Sequence, residues 1–170
     1  MGRDRRRMGV IAAVTLVGIG CASSPTPEAE RPDLAVMEEY GCGYGFWLGS
    51  PDGHLAVRLA GVLELAAAGE LPRAVTLPDP AWEAVVLVGE DLYANWCDDV
   101  IVVGEPEPVV AEEWPITAGT IVLNEPTPGP DCPSEARATV TGLRTIRTDG
   151  TTVELGSREL TNDSWGCFAG

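Results

Sequence analysis

Apolar and polar side chains alternate along much of this chain. Leu55, Val57 and Leu59 share one face while Arg58 takes the other, the period of a half-buried strand. Just upstream, Cys42, Tyr44, Phe46 and Leu48 keep the same period, so Cys42 to Leu48 is predicted to be a strand with Trp47 on its opposite side. Ser50-Pro51-Asp52-Gly53-His54 between them reads as a turn, because Pro51 and Gly53 supply the dihedrals a reversal needs. The alanines and leucines of Ala60 to Ala68 would permit a short helix. Leu63 and Leu65 continue the strand phase past Gly61, and the strand reading is preferred. Gly69-Glu70 then turns the chain into Leu71, Arg73, Val75 and Leu77.

Pro78-Asp79-Pro80 breaks the pattern before Trp82. Val85 to Val88 and Val100 to Val103 are short continuous apolar runs that fit buried strands. Asp91 to Asp99 lies between them as a loop or single helical turn. Glu105 to Pro108 is extended, Trp114 to Leu123 gives a further strand, and the prolines of Asn124 to Pro133 mark a surface crossover. Asp149-Gly150 between two strand-like arms is a strong signal for a two-residue hairpin loop. Such a loop pairs Thr148 with Thr151, and the same register carried outward sets Cys132 opposite Cys167. Gly142 and Gly156 then face Ser157 and Leu143, where a bulge could shift the match. Nearly ten short strands without a βαβ rhythm predict an all-β fold, an antiparallel β-sandwich with an immunoglobulin-like arrangement as the leading form.

The first residues are of another kind. Arg3, Arg5, Arg6 and Arg7 form a basic head, and Met8 to Ala22 follows as 15 residues without a charge, shorter than the roughly 20 apolar residues of a membrane span. This is the layout of a secretory signal. Its end, Val17-Gly18-Ile19-Gly20-Cys21, resembles the lipobox of bacterial lipoproteins, with Gly18 where leucine is usual. The resemblance implies diacylglyceryl transfer to the Cys21 thiol and cleavage before it. An ordinary cleaved signal, with Cys21 incidental, is the alternative. The expected organisation is a signal peptide over 1–20, a lipidated N-terminus and disordered tether over 21–33, and one extracytoplasmic domain over 34–170. Residues 22–33 lack large apolar side chains and cannot offset the entropy of ordering.

Removing residues 1–20 takes away four arginines and one aspartate, leaving 7 cations against 25 anions, a net charge of −18 with no lysine. That surface repels phosphate, so nucleic acid is excluded as a partner. The membrane, reached through the lipid, and a protein or glycan of the envelope are the expected partners. With Cys21 assigned to lipid, Cys42, Cys97, Cys132 and Cys167 are an even set in an oxidising compartment, which predicts two disulfides. Three pairings exist; the hairpin register favours Cys132–Cys167, leaving Cys42–Cys97.

Residues able to do chemistry are few. His54 is the single histidine. Ser50, Asp52 and His54 invite comparison with a triad, yet three residues of one tight turn can hardly adopt that geometry. Asp91, Asp98 and Asp99 are the nearest approach to a calcium site, without EF-hand spacing; no cofactor or metal is expected. Among the five tryptophans, Trp96 and Trp165 lie beside cysteines and are assigned to the core, and Trp47 is the candidate surface contact. The reading that follows is a non-catalytic binding or structural module of the envelope. The alternative is a small hydrolase acting on glycans through two carboxylates.

Overall fold

The computed structural model describes residues 32–92, 104, 106–124 and 134–167. The elements run β1 (Glu38–Cys42), β2 (Gly45–Gly49), β3 (Leu55–Gly61), α1 (Leu63–Ala67), β4 (Ala74–Thr76), β5 (Trp82–Glu90), β6 (Val109–Leu123), β7 (Ser134–Ile146) and β8 (Thr152–Trp165). The all-β class is as predicted. The arrangement is one antiparallel sheet ordered β1-β2-β3-β5-β6-β7-β8, with β4 added beside β6, in place of two separate facing sheets of the immunoglobulin kind. β1 comes back against β8, so the sheet curls into a nearly closed, barrel-like form.

β6 makes the corner. Its first half pairs with β5, as in Val86↔Trp114, and its second half pairs with β4, as in Val75↔Ile121, while β7 runs along the other edge. Register shifts between Ile116 and Thr120 bend the strand there, as bulges do. Gly119, at φ +125°, lets the bend close tightly: a Cβ on it would lie 2.9 Å from the Leu143 Cα. The interior is packed with the alternate residues of each strand. Phe46, Leu48, Val57, Leu59, Val86, Ile121, Val140, Leu143, Leu155 and Leu160 are almost fully buried. Small barrels are filled by side chains in this way.

Three local expectations are corrected. Cys42 to Leu48 is two strands, because Gly43, at φ +53°, and Tyr44 form a turn that pairs Cys42 with Gly45. The glycines there leave an apparent alternation that the backbone does not follow. Leu63 to Ala67 is helical, and is stopped by Gly69 at φ +72°, whose amide donates to the Ala66 carbonyl while that of Glu70 donates to Leu65. Leu71 to Leu77 contributes only the short β4.

The β7–β8 hairpin exists, but its loop is one residue longer than predicted. Arg147 donates to the Thr151 carbonyl and Gly150 to that of Arg147. The Asp149 carboxylate caps the Thr151 amide at 2.8 Å, and Gly150 takes the positive φ. This is a three-residue loop, so the adjoining arms pair one position away from the predicted register. Bulges restore that register at Leu143↔Gly156 and again at Ser134↔Trp165.

The seam between β1 and β8 is unlike the ladders. The two strands are parallel, with a single bridge at Gly43↔Trp165. Side chains take the place of backbone partners. Glu39 accepts from the Thr161 amide and lies 3.4 Å from Arg158 Nη2. Arg158 Nη1 donates to the carbonyls of Leu34 at 2.5 Å and Met37 at 2.6 Å. Asn162, fully buried, donates to Gly43 and Gly45 and accepts from the Ser164 amide. Room for this exists because residue 41 is glycine: a Cβ there would sit 2.5 Å from Asn162 Cγ and 2.8 Å from its Cα. Leu34, fully buried and bonded through its amide to Leu155, packs into the core beside this seam.

Gly41→Ala and Gly119→Ala are each expected to lower stability by about 2–4 kcal/mol, because both would push a Cβ against neighbouring backbone. Urea unfolding measures it. A loss below about 0.5 kcal/mol for Gly41→Ala would mean that β8 is free to move aside.

Candidate functional site

The antiparallel order sends the chemistry-bearing residues to two ends of the sheet. At one end, here the head, lie the turn 50–54, the end of β5, the start of β6 and the β7–β8 loop. At the other, the foot, lie Cys42, Tyr44, Trp165 and Cys167.

At the head, the turn of Ser50, Asp52 and His54 docks on the end of β5. Ser50 is buried at the close of β2, where its hydroxyl donates to Asp52 Oδ1 at 2.5 Å and accepts from the Leu55 amide at 2.9 Å. Asp52 also accepts from the His54 backbone amide at 3.1 Å. The His54 ring turns away: Nδ1 lies 2.9 Å from the Gly89 carbonyl, to which it donates. The serine proton is therefore aimed at a carboxylate and the imidazole at a backbone oxygen. Nothing here links base to nucleophile, so these three residues form a turn knot and no triad.

The bond to Gly89 raises the His54 pKa, with Asp52, Glu90 and Asp91 adding in the same direction. Among these neighbours Asp91 is the one non-glycine described residue at positive φ, +51°. Among the described residues no group of three or more His, Cys, Asp or Glu side chains could hold a metal ion. Asp98 and Asp99 of the calcium candidate lie outside the described residues.

A second head cluster was missed by the sequence reading. Trp114 is buried, 4% exposed, and its Nε1 donates to Glu112 Oε2 at 2.8 Å. Thr148, on the hairpin loop, donates to the same oxygen at 2.8 Å, and the Arg147 guanidinium sits 4.8 Å from the centre of the indole ring. Indole and hydroxyl together, helped by Arg147, hold the Glu112 carboxyl below its usual pKa. The arrangement ties the β7–β8 loop to the start of β6 by a shared acceptor and a cation–π contact. The sequence signal available was only an acidic pair before a tryptophan. The partners are 36 residues away.

Trp47 faces away from Phe46 and Leu48, as predicted. It stands opposite Tyr40 and Arg58 in the two flanking ladders, with the guanidinium 5.5 Å from its ring centre and ion-paired to Glu83. Trp165 is in the core as predicted, 5.3 Å from Phe46 and edge-on to Tyr44 at 5.6 Å. Trp82 is buried with its Nε1 unpartnered. Trp96, Cys21, Cys97 and Cys132 lie outside the described residues. Cys42 ends β1 on the side away from Phe46, and Cys167 follows β8, where its carbonyl accepts from the Gly43 amide at 2.8 Å. Among the described residues no helix is long and apolar enough to cross a membrane.

His54 is expected to titrate above an ordinary histidine. Its charge then favours the folded state below the unfolded-state pKa, and this small contribution fades as pH rises through the folded pKa. Proton NMR of the single imidazole measures it directly, and a pKa at or under the ordinary value would contradict the Gly89 bond. For Glu112, Thr148→Val should move the carboxyl pKa upward by removing one donor. An unchanged carbon-13 titration would show that the loop contact does not persist in solution.

Compared with protein-family models, with curated proteins and with solved structures, the chain matches none of them.

Proposed function

We propose that this chain is an extracytoplasmic lipoprotein, held to the membrane by lipid at Cys21, whose folded domain is a non-catalytic binding or structural module of the cell envelope. The observation that carries the non-catalytic part is the state of its polar side chains. Ser50, Asp52, His54, Glu112 and Asn162 are each committed to bonds that fix turns, loop and seam. A hydrolase needs a base and a nucleophile, or two carboxylates, converging on a common point. Here the two head clusters serve to fasten loops onto strands. The anchor rests on the N-terminal pattern: basic head, short uncharged run and small residues before Cys21. Two acyl chains satisfy the requirement for stable membrane attachment.

Two disulfides belong to the same reading, Cys132–Cys167 and Cys42–Cys97. The bulges bring Ser134 opposite Trp165, two positions inward of Cys132 and Cys167, in the register that would set those cysteines against each other. An oxidising compartment is where such bridges persist. The strongly acidic, lysine-free surface suits a partner that is cationic or neutral, a protein or a glycan, and disfavours nucleic acid.

Expressed with its leader in a bacterial host, the wild type should sediment with membranes and carry the mass of a diacylglyceryl-modified Cys21. Cys21→Ser should appear in the soluble extracytoplasmic fraction without that mass. Equal membrane retention of both proteins would sink the anchor.

A further inference from the structure

We infer that the turn of residues 34–37 and β1 form a tension-bearing hitch: a pull arriving along the N-terminal segment is met at the β1–β8 seam by several bonds loaded together, and the sheet stays folded under it. The inference rests on the proposed anchor at Cys21 as the source of the pull. The hitch itself is built from described residues and involves no lipid.

The two outer strands set the direction. β1 and β8 are parallel, and partners across the seam stay in step: Met37 is 121 residues from Arg158 and Glu39 is 122 from Thr161. The bridge at Gly43 and Trp165 continues that spacing. Both strands therefore start at the head and end at the foot. A pull on Asp33 against a body held at the foot runs along them and slides β1 past β8. Sliding strains the cross-seam bonds together, whereas peeling breaks them one at a time. The same pull slides β1 past β2, with which it is paired from Glu38 to Cys42.

Upstream of β1 the chain is tied down where closing the sheet does not require it. Residues 34–37 belong to no strand. Leu34 and Met37 are nevertheless buried in the main core, 0% and 4% exposed, while Val36 between them is 66% exposed. The Asp33 carboxylate accepts from the Ala35 amide at 2.9 Å, and its carbonyl accepts from the Val36 amide at 3.2 Å, which fixes the turn. Arg158 Nη1 donates to the Leu34 and Met37 carbonyls at 2.5 and 2.6 Å, and Nη2 lies 3.4 Å from Glu39. One guanidinium on β8 thus grips both ends of the turn and the start of β1. Hydrogen bonds from a charged donor are the strong class.

Below the turn the remaining bonds lie in line with the pull. Glu39 accepts from the Thr161 amide, and Asn162 donates to the Gly43 and Gly45 carbonyls. At the foot the Gly43 amide donates to the Cys167 carbonyl and the Gly166 amide to the Gly43 carbonyl, both at 2.8 Å. These bonds are spread from one end of the seam to the other, so sliding cannot proceed until all of them lengthen.

The test is single-molecule pulling on the soluble Cys21→Ser chain. Handles fused to the two ends of the chain draw β1 from the head against the foot, where β8 ends. Handles at the N-terminal end and within the exposed Asp149-Gly150 loop draw on two points of the head and peel the seam from Leu34 downward. Rupture under force follows the unfolding rate. At equal force, rupture between the ends should be about tenfold slower than rupture from the head, and Arg158→Gln should quicken it by about tenfold. Equal rates in the two geometries of the unsubstituted seam would overturn the hitch, whether or not the variant folds. So would a folded Arg158→Gln chain that ruptures between its ends within about twofold of the parent. No lipid enters the measurement, so the hitch stands or falls separately from the anchor, which the membrane retention of Cys21→Ser decides.

Discussion

The meeting of β1 with β8 is the constraint on which the rest of the structure depends. A meander with seven strands in its path brings its first and last strands together in parallel. Such strands cannot be joined by a short hairpin, and here they do not form a ladder either. Open edges invite pairing with other chains, so something must occupy them. Glu39, Arg158 and Asn162 do so, each standing where a strand backbone would otherwise bond. Asn162 is the most exposed to loss, since leaving the buried Gly45 carbonyl without a donor costs about 1–3 kcal/mol. The seam in turn needs Gly41, because only a residue without a Cβ admits the Asn162 backbone so closely.

Bending the sheet far enough for its ends to meet is the work of β6. A strand of 15 residues running straight would carry β7 and β8 away from β1. The register shifts between Ile116 and Thr120 break the straight course, and Gly119 allows Leu143 of β7 to close over the bend. The same strand serves β5 with its first half and β4 with its second. One long strand thus replaces the two edges that a pair of facing sheets would have had to cover.

Much of this was legible in the sequence wherever burial follows a period of two. Leu55, Val57 and Leu59 do face the core, Trp47 does oppose Phe46, and the turn at 50–54 and the hairpin at Asp149-Gly150 are where their residues place them. The first failure has a plain physical cause, which is that glycine hides the backbone. Gly41, Gly43 and Gly45 present no side chain to reveal that the alternation of Cys42 to Leu48 is cut by a turn. The Asp149 carboxylate could serve a two- or a three-residue loop, and the choice is made by its bond to the Thr151 amide. The seam was beyond reach because its partners are more than a hundred residues apart. An arginine, a glutamate and an asparagine in strands read as solvent-facing until the strands that bury them are known.

The head clusters were illegible for the same reason, and they bear on what kind of protein this is. Polar residues gathered at one end of a β domain are where a site would normally be sought. Among the described residues at this head, Ser50 donates to Asp52 within its own turn, His54 to the Gly89 carbonyl at the end of β5, and Trp114 and Thr148 to Glu112. Such bonds stiffen loops by fixing side chains to neighbouring backbone and carboxylate oxygens. Among the described residues the interior is packed with leucine, valine and isoleucine, and the polar side chains of the two head clusters fasten the domain's own turns and loops. Over the whole chain acidic side chains outnumber basic ones, 26 to 11. Charge of one sign steers encounter, and outward aromatic side chains such as Tyr40 and Trp47 offer contact area.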